Sequence, residues 1–502
     1  MKTPKETPPA ATEGVDNDSA GEQIEHSASG AAVHEPFWSN AWNESELPAA
    51  RAALSRPPGL VGDIADFIYG FAQRPMLEAS VLAALGLVAG VAGRCYNVNG
   101  DGLNLYMLLL APTGRGKSAM AKGIDRLVTE IKITGTPMVD DFIGPAEFAS
   151  GPALHNAVSE NPSMLCVFGE FGLKLKAMSG TRTNENEEAQ LRLLLDLYNK
   201  SGRFDELRER RYADKAKSTP RVRSPAVTIV GESTPETIYE NLSHELVRNG
   251  LLPRFILMEC DSERPPRNRT AGGNPPEALV SRLRDLVAIG AQSRVGPDMQ
   301  PVYRDIALDS VAACYLDEID ADLDETYNSG NPIERELWNR ALQNVNRVAG
   351  LLAIGLNPHN PVITEACAQW AVEFVFASTE GLLAKFNEGL VGGGDSRQEA
   401  EVKRFLRDYL GMSASDKQFG SYKVPKSIAE YRDIVGLDYL RRRARQCASF
   451  TKDRRGYRLS LDAALVGLVQ TGALFEIKPH ITEQKFGLRS IAYRIYNESL
   501  LR

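Results

Sequence analysis

The chain has 502 residues, 43% of them hydrophobic and 25% charged, with a net charge of −7. This is the balance of a soluble protein long enough for two to four domains. Its six cysteines (Cys95, Cys166, Cys260, Cys314, Cys367, Cys447) lie far apart, with no C-x-x-C and no histidine at ligand spacing. That pattern argues for a reducing compartment and against structural zinc.

The charge is unevenly spread. Residues 1–50 carry two Lys/Arg against nine Asp/Glu, and residues 401–502 carry twenty against eleven. Residues 1–45 hold almost no large apolar residue before Phe37 and Trp38, so they are read as a disordered acidic tail. The Phe37–Trp42 patch is expected to dock back onto the body, with docking onto a partner as the alternative. Residues 46–98 follow as a helical collar, with Ile64, Phe67, Ile68 and Phe71 on one face. The apolar run Ala79–Gly93 is too short to span a bilayer and reads as a buried helix. No signal peptide opens the chain, so the expected location is the cytoplasm, that of a bacterial host.

Residues 99–264 are expected to form an α/β core, a P-loop NTPase of the ASCE, RecA/AAA-like kind. Residues 103–110 make an apolar run of strand length, followed by A-P-T-G-R-G-K-S and a helical pattern through Ile131. Strand, glycine-bearing loop and helix are the context a phosphate-binding loop requires. The loop Ala111, Pro112, Thr113, Gly114, Arg115, Gly116, Lys117, Ser118 and Ala119 would wrap the phosphates of ATP with backbone N–H groups. Lys117 would neutralise β/γ-phosphate charge and Ser118 would hold Mg²⁺. Ala111 stands where the usual pattern has its first glycine.

Three further strands are expected at 164–171, 226–234 and 251–261, separated by helices, which argues for a mainly parallel sheet. Glu170 ends the first of them, where a carboxylate can polarise the attacking water and help at the metal. Gly169 occupies the place where most such ATPases have an aspartate, so Ser118 with waters, or Asp140 or Asp141, would complete the Mg²⁺ shell. Ser233 and Thr234 end the next strand and would either face the γ-phosphate or cap the following helix. Arg254 precedes the last strand and could reach a neighbour's ATP in a ring, or serve a structural ion pair. Arg340 and Arg347 are weaker sensor candidates. Lys174, Lys176 and Arg182, and the segment Arg208–Lys217, are the basic stretches near this core, read either as DNA contacts or as solvated faces.

Residues 265–390 are expected to be a helical extension with helices at Asp309–Tyr327, Arg335–Leu356 and Thr364–Phe386. A glycine-rich joint at 389–396 opens a linker over 391–425. Residues 426–502 are expected to form a basic, winged-helix-like domain. Its helices would be Ser427–Val435, Leu437–Ser449 and Leu461–Thr471, followed by strands at 473–478 and 490–496. Arg441, Arg442 and Arg443, with Lys452, Arg454, Arg455 and Arg458, would lie along phosphates or form a solvated face on a packing module.

The order of LLLAPTGRGKS, VDDF (139–142), VFGEFG (167–172), GEST (231–234), NGLLPRF (249–255) and NRALQNVNRVAGLLAI (339–354) resembles a helicase-like P-loop ATPase family. Its members occur in phages, plasmids and integrated elements and are often fused behind primase or Toprim domains. The LLPRF stretch is also similar to the arginine-finger segment of minichromosome maintenance helicases. The resemblance covers residues 57–390 and implies a replication ATPase, a hexamer-like homo-oligomeric ring that translocates on single-stranded DNA. It also implies a partner such as an initiator or primase. An ATP-controlled loader or adaptor, or a nucleotide-binding regulatory protein without unwinding activity, is the alternative.

Overall fold

The computed structural model describes residues 55–179, 185–211, 218–239, 247, 249–260, 263–294, 301–387, 394–451, 453, 455–470 and 472–496. The expected acidic tail and its aromatic patch, Arg182, Lys452 and Arg454 lie outside them. No helix among the described residues is long and apolar enough to cross a membrane.

Two helices come first, α1 (Gly59–Phe71) and α2 (Leu77–Ala92), then the short strands β1 (Tyr96–Val98) and β2 (Asp101–Gly102). Strand β3 (Tyr106–Leu110) leads through the loop 111–118 into α3 (Ala119–Ile133). Helix α4 (Gly151–Glu160) precedes β4 (Ser163–Phe168), followed by α5 (Phe171–Ser179) and α6 (Glu185–Asn199). A small hairpin of β5 (Glu206–Leu207) and β6 (Val222–Arg223) leads to β7 (Ala226–Ser233) and α7 (Pro235–Tyr239). Strand β8 (Phe255–Glu259) closes the core.

The central sheet has the order β4-β7-β3-β8 and is parallel throughout. Tyr106 stands beside Ile229 and Phe255, and Leu110 beside Ser233 and Glu259. The carboxyl ends of the strands therefore share one edge. A parallel bridge from Ile143 to Leu165 extends the sheet beyond β4 by a single residue pair.

All five residues of β3 are buried, as a strand covered on both faces must be. Successive side chains alternate between the faces. Tyr106, Leu108 and Leu110 join Leu193, Leu194, Leu197 and Tyr198 of α6 in one apolar cluster. Helix α2 covers the opposite face through glycines one turn apart. A β-carbon on Gly86 would stand 2.5 Å from Val230 Cγ2, and one on Gly90 would stand 2.6 Å from Leu165 Cβ. The Gly/Ala-rich run of α2 is thus a close-packing surface.

Beyond β8 run helices Glu277–Ala291, Ser310–Ser329, Pro332–Trp338, Ala341–Leu356 and Glu365–Asn387. The single helix expected over 335–356 is broken at Asn339–Arg340, where Arg340 leaves helical geometry with ψ at 4°. The break lets Trp338 meet Phe376 edge-on while Arg347 turns toward the sheet.

The expected linker over 391–425 is corrected. Gly394–Gly411 and Ala414–Phe419 are helices, and Val402, Phe405, Leu406 and Tyr409 enter the C-terminal core. These apolar residues recur at helical spacing but are diluted by charged neighbours. The helix expected at Ser427–Val435 is also corrected. Only Lys426–Ala429 is helical, and Ile434–Gly436 is a strand antiparallel to Ala492–Ile495. Strand Leu474–Ile477 pairs with the other edge of Ala492–Ile495, giving a three-stranded sheet. Helices Leu437–Arg445 and Tyr457–Gln470 lie in sequence between the first two of these strands.

Gly90→Ala should lower stability by about 1–3 kcal/mol, because the new methyl meets the Leu165 backbone rather than a flexible side chain. Chemical denaturation of the full chain measures this, and an unchanged midpoint would show that α2 can lift from the sheet.

Candidate functional site

The loop between β3 and α3 lies at the carboxyl edge of the sheet. Gly114 and Gly116 have φ of +79° and +113°, conformations that L side chains rarely adopt. Gly116 is also crowded, since a β-carbon there would stand 2.5 Å from the Arg74 carbonyl oxygen. Ala111 is buried and has no positive φ, so a methyl group is tolerated where the usual pattern has glycine. Its N–H donates to the Ser233 carbonyl at 3.1 Å, which carries the β3–β7 ladder into the loop.

Lys117 is buried, and its ammonium donates to the carbonyls of Ala111 at 2.8 Å and Ser233 at 3.3 Å. Ser118 is exposed and occupies the N-cap position of α3 without a side-chain capping bond, leaving its hydroxyl available for Mg²⁺. Thr113 is exposed; Pro112 and Arg115 are half-buried, and Ala119 is buried. The loop therefore presents backbone N–H groups, a lysine and a hydroxyl at the start of a 15-residue helix, the equipment of a triphosphate site.

Glu170 follows β4 at the same edge. It is exposed and has a φ of +48°, one of the few non-glycine residues in the left-handed region. Holding a glutamate there costs of order 1–3 kcal/mol, a cost that concentrates at functional positions. A β-carbon on Gly169 would meet nothing within 4 Å, so no steric barrier excludes an acid there.

A second carboxylate, absent from the sequence expectations, completes the cluster. Glu232 stands beside Leu109 in the β3–β7 ladder. Burial raises its pKa above the ordinary glutamate value; the charge of Lys117 opposes that shift and Glu170 adds to it. Lys117, Glu170 and Glu232 are thus in electrostatic reach of one another. Two acids at adjoining strand ends were the available signal, but the facing direction of Glu232 depends on which side α3 packs.

Alternation along β7 also corrects the expectation for Ser233. Its side chain faces α5, where a β-carbon on Gly172 would stand 2.2 Å from the hydroxyl oxygen. That hydroxyl is buried without a partner, and only the Ser233 carbonyl reaches Lys117. Thr234 caps α7, its hydroxyl accepting from the Thr237 N–H at 3.3 Å. Asp140 and Asp141 pair with Lys132 and Arg294, committing both to ion pairs near the C-terminal end of α3.

Arg254 lies at the opposite edge of the sheet, next to Phe255, the partner of Tyr106. It is buried, donates to the Gly250 carbonyl and stands over the Tyr198 ring, 5.4 Å from its centroid. Burial lowers its pKa, and Arg340 adds to the shift. Arg347 stacks on the same ring at 4.1 Å and donates to the carbonyls of Asn104 and Tyr198, both at 2.9 Å. Arg340 donates to Gln343. Arg254 and Arg347 are therefore interior to this chain's own packing, because a polar core around Tyr198 and Asn344 draws their guanidinium groups inward, while Arg340 is half-buried.

Of the basic stretches, Arg182 and residues 212–217 lie outside the described residues, and most of the rest are engaged. Lys174 is half-buried, donates to the Phe148 carbonyl at 3.2 Å, and is lowered in pKa by burial. Lys176 is exposed. Arg208, Arg210 and Arg211 pair with Glu206, Asp196 and Glu209. In the C-terminal unit Arg443 pairs with Asp408 and stands 4.6 Å from the Phe405 centroid, while Arg442 donates to the Tyr422 carbonyl. Arg441 is half-buried with an unpartnered Nε.

No family model and no curated protein matches the chain. The functional reading therefore rests on this geometry and on the ordered motifs.

Glu170→Gln should abolish nucleotide turnover, whereas Glu170→Gly should abolish it while holding stability within about 1 kcal/mol, because relief of strain offsets backbone entropy. Turnover and melting temperature measured together check both; a Glu170→Gly chain that turns over normally would remove the base assignment. For Glu232 the folded pKa is raised, so its stability contribution is lost as pH climbs through the ordinary glutamate value toward the folded one. Glu232→Gln should raise the melting temperature near pH 7, with the gain disappearing below about pH 4. A gain that instead grew toward acid would reverse this assignment.

Proposed function

We propose that the chain is a P-loop ATPase of the additional-strand (ASCE) class whose turnover powers work on single-stranded DNA in the replication of a phage or mobile element. The observation that supports this most is the strand order. Strand β7 lies between the strand that feeds the phosphate loop and the strand that Glu170 follows, so both deliver their residues to one edge.

In this reading the loop N–H groups and Lys117 hold the β- and γ-phosphates of ATP. Mg²⁺, when bound, would supply charge neutralisation, and Ser118 would be its protein ligand. Glu170 orients water for attack on the γ-phosphorus and accepts its proton. Glu232 lies within electrostatic reach of Lys117, whose ammonium donates to the carbonyls of Ala111 and Ser233. The ordered motifs over 57–390 support assignment to replication and assembly as a homo-oligomeric ring. In the C-terminal unit a short helix and a strand are followed by three helices, a strand, the helix Pro479–Phe486 and a last strand, and the three-stranded sheet packed with helices supports a winged-helix-like reading.

A second reading, a helicase loader or adaptor, is favoured by one observation. Helix Tyr457–Gln470 exposes Leu459 and Val466, and the strand after it exposes Phe475. With Arg442 and Arg443 tied into the unit, this surface suits a protein partner such as an initiator or primase better than a phosphate backbone.

ATP hydrolysis by the full chain should rise with single-stranded DNA and vanish in Lys117→Ala. A chain ending at Gly393 should keep nucleotide binding, since the C-terminal residues have their own core. Stimulation by DNA that survives the truncation would remove DNA contact from the C-terminal unit. DNA-stimulated turnover without unwinding of a forked duplex would favour the loader, and wild-type turnover no higher than that of Lys117→Ala would sink the ATPase reading.

A further inference from the structure

After β8 the backbone passes over the phosphate-binding loop. The Cys260 N–H donates to the Leu110 carbonyl at 2.8 Å, prolonging the β3–β8 ladder past Glu259. Four residues later Arg264 Nε donates to the Gly114 carbonyl at 2.9 Å. The following residues are laced to the connection between α1 and α2. Arg74 donates to the Pro265 carbonyl at 2.7 Å, and the Asn268 N–H donates to Gln73 at 2.9 Å. The Gly272 N–H donates to Phe71 at 3.1 Å. Arg264 is thus suspended between the sheet and the helical collar, both of them anchored.

Its side chain is exposed, and it pairs with no carboxylate among the described residues. Nη2 lies 3.8 Å from the point where a β-carbon on Gly114 would stand. A guanidinium with no carboxylate partner among the described residues, one hydrogen bond from Gly114, is placed to accept an anion at little desolvation cost.

Resting on the ATPase reading above, we propose that Arg264 contacts the terminal phosphate of the nucleotide bound by its own chain. The cation that sequence reasoning placed at Arg254 is supplied instead from the segment after β8. Its planar fork spans two phosphate oxygens, and its charge opposes the negative charge that builds there during transfer.

Calorimetric titration of the full chain with MgATP and with MgADP tests this, alongside turnover, for wild type, Arg264→Ala, Arg264→Lys and Lys117→Ala. Arg264→Ala should weaken ATP about tenfold and ADP less than about twofold, with turnover falling further, and Arg264→Lys should recover only part of each. Lys117→Ala should weaken both nucleotides. Mixing Arg264→Ala with Lys117→Ala chains should restore no turnover beyond the sum of the two, because a working site needs both residues in one chain. Equal losses for ATP and ADP would mean that Arg264 only shapes the loop. Unchanged ATP affinity, or recovery in the mixture, would overturn the assignment while leaving the ATPase reading intact. A wild-type chain that binds neither nucleotide would overturn both.

Discussion

Four parallel strands, buried on both faces, set the positions of the phosphate loop, the acids and the flanking segments. Parallel pairing requires each strand to return through a crossover, and the crossovers must cover the sheet. Helix α2 meets this requirement from outside the crossovers, through glycines that bring its backbone against Leu165 and Val230. With that face closed, α3 packs beside α2, and the loop between β3 and α3 has one place to lie. Because every strand runs the same way, Leu110, Ser233 and Glu259 end level, and Phe168, beside Gly231, ends two residues short of them. Four segments far apart in sequence thereby meet at one edge without any of them needing a special conformation until Gly114, Gly116 and Glu170.

The two edges of the sheet use charge in opposite ways. At the carboxyl edge Lys117 has two nearby acids, and Ser118, Glu170 and Arg264 remain accessible. At the amino edge Arg254 and Arg347 are buried against the Tyr198 ring, satisfied by carbonyl oxygens. Their Nε atoms have no partner. Such an arrangement ties the helix Ala341–Leu356 to β3 and α6, a task that carbonyl acceptors and a ring face fulfil without a counter-ion. It is cohesion by directional bonds where apolar contact alone would leave the helices free to slide.

The strand–loop–helix around residues 111–118 was legible because its demands are local: two left-handed positions, a strand before and a helix after. The place of Glu170 was legible for the same reason, as the acid that follows an apolar run. Glu232 was not, because its importance depends on which of two faces α3 occupies, and that is settled by α2 from far upstream. Arg254 misled because its motif describes the chain around it, whereas its burial is decided by Tyr198 and Asn344 on other helices. The helix Gly394–Gly411 was hidden by composition: its apolar residues keep helical spacing, but the charges between them resemble a solvated linker. Arg264 carried no motif at all. Only the path of the backbone after β8 brings it to Gly114.

The bonds of Lys117 to the carbonyls of Ala111 and Ser233 have a thermodynamic consequence. They join the ends of β3 and β7, so the lysine acts as a latch across the ladder. Drawing the ammonium toward a ligand forfeits these bonds, each worth about 0.5–3 kcal/mol. Any affinity observed for a nucleotide is therefore a difference, the grip on phosphate less the release of the latch. A chain relieved of its lysine loses the grip and the latch together, leaving the ends of β3 and β7 less firmly joined.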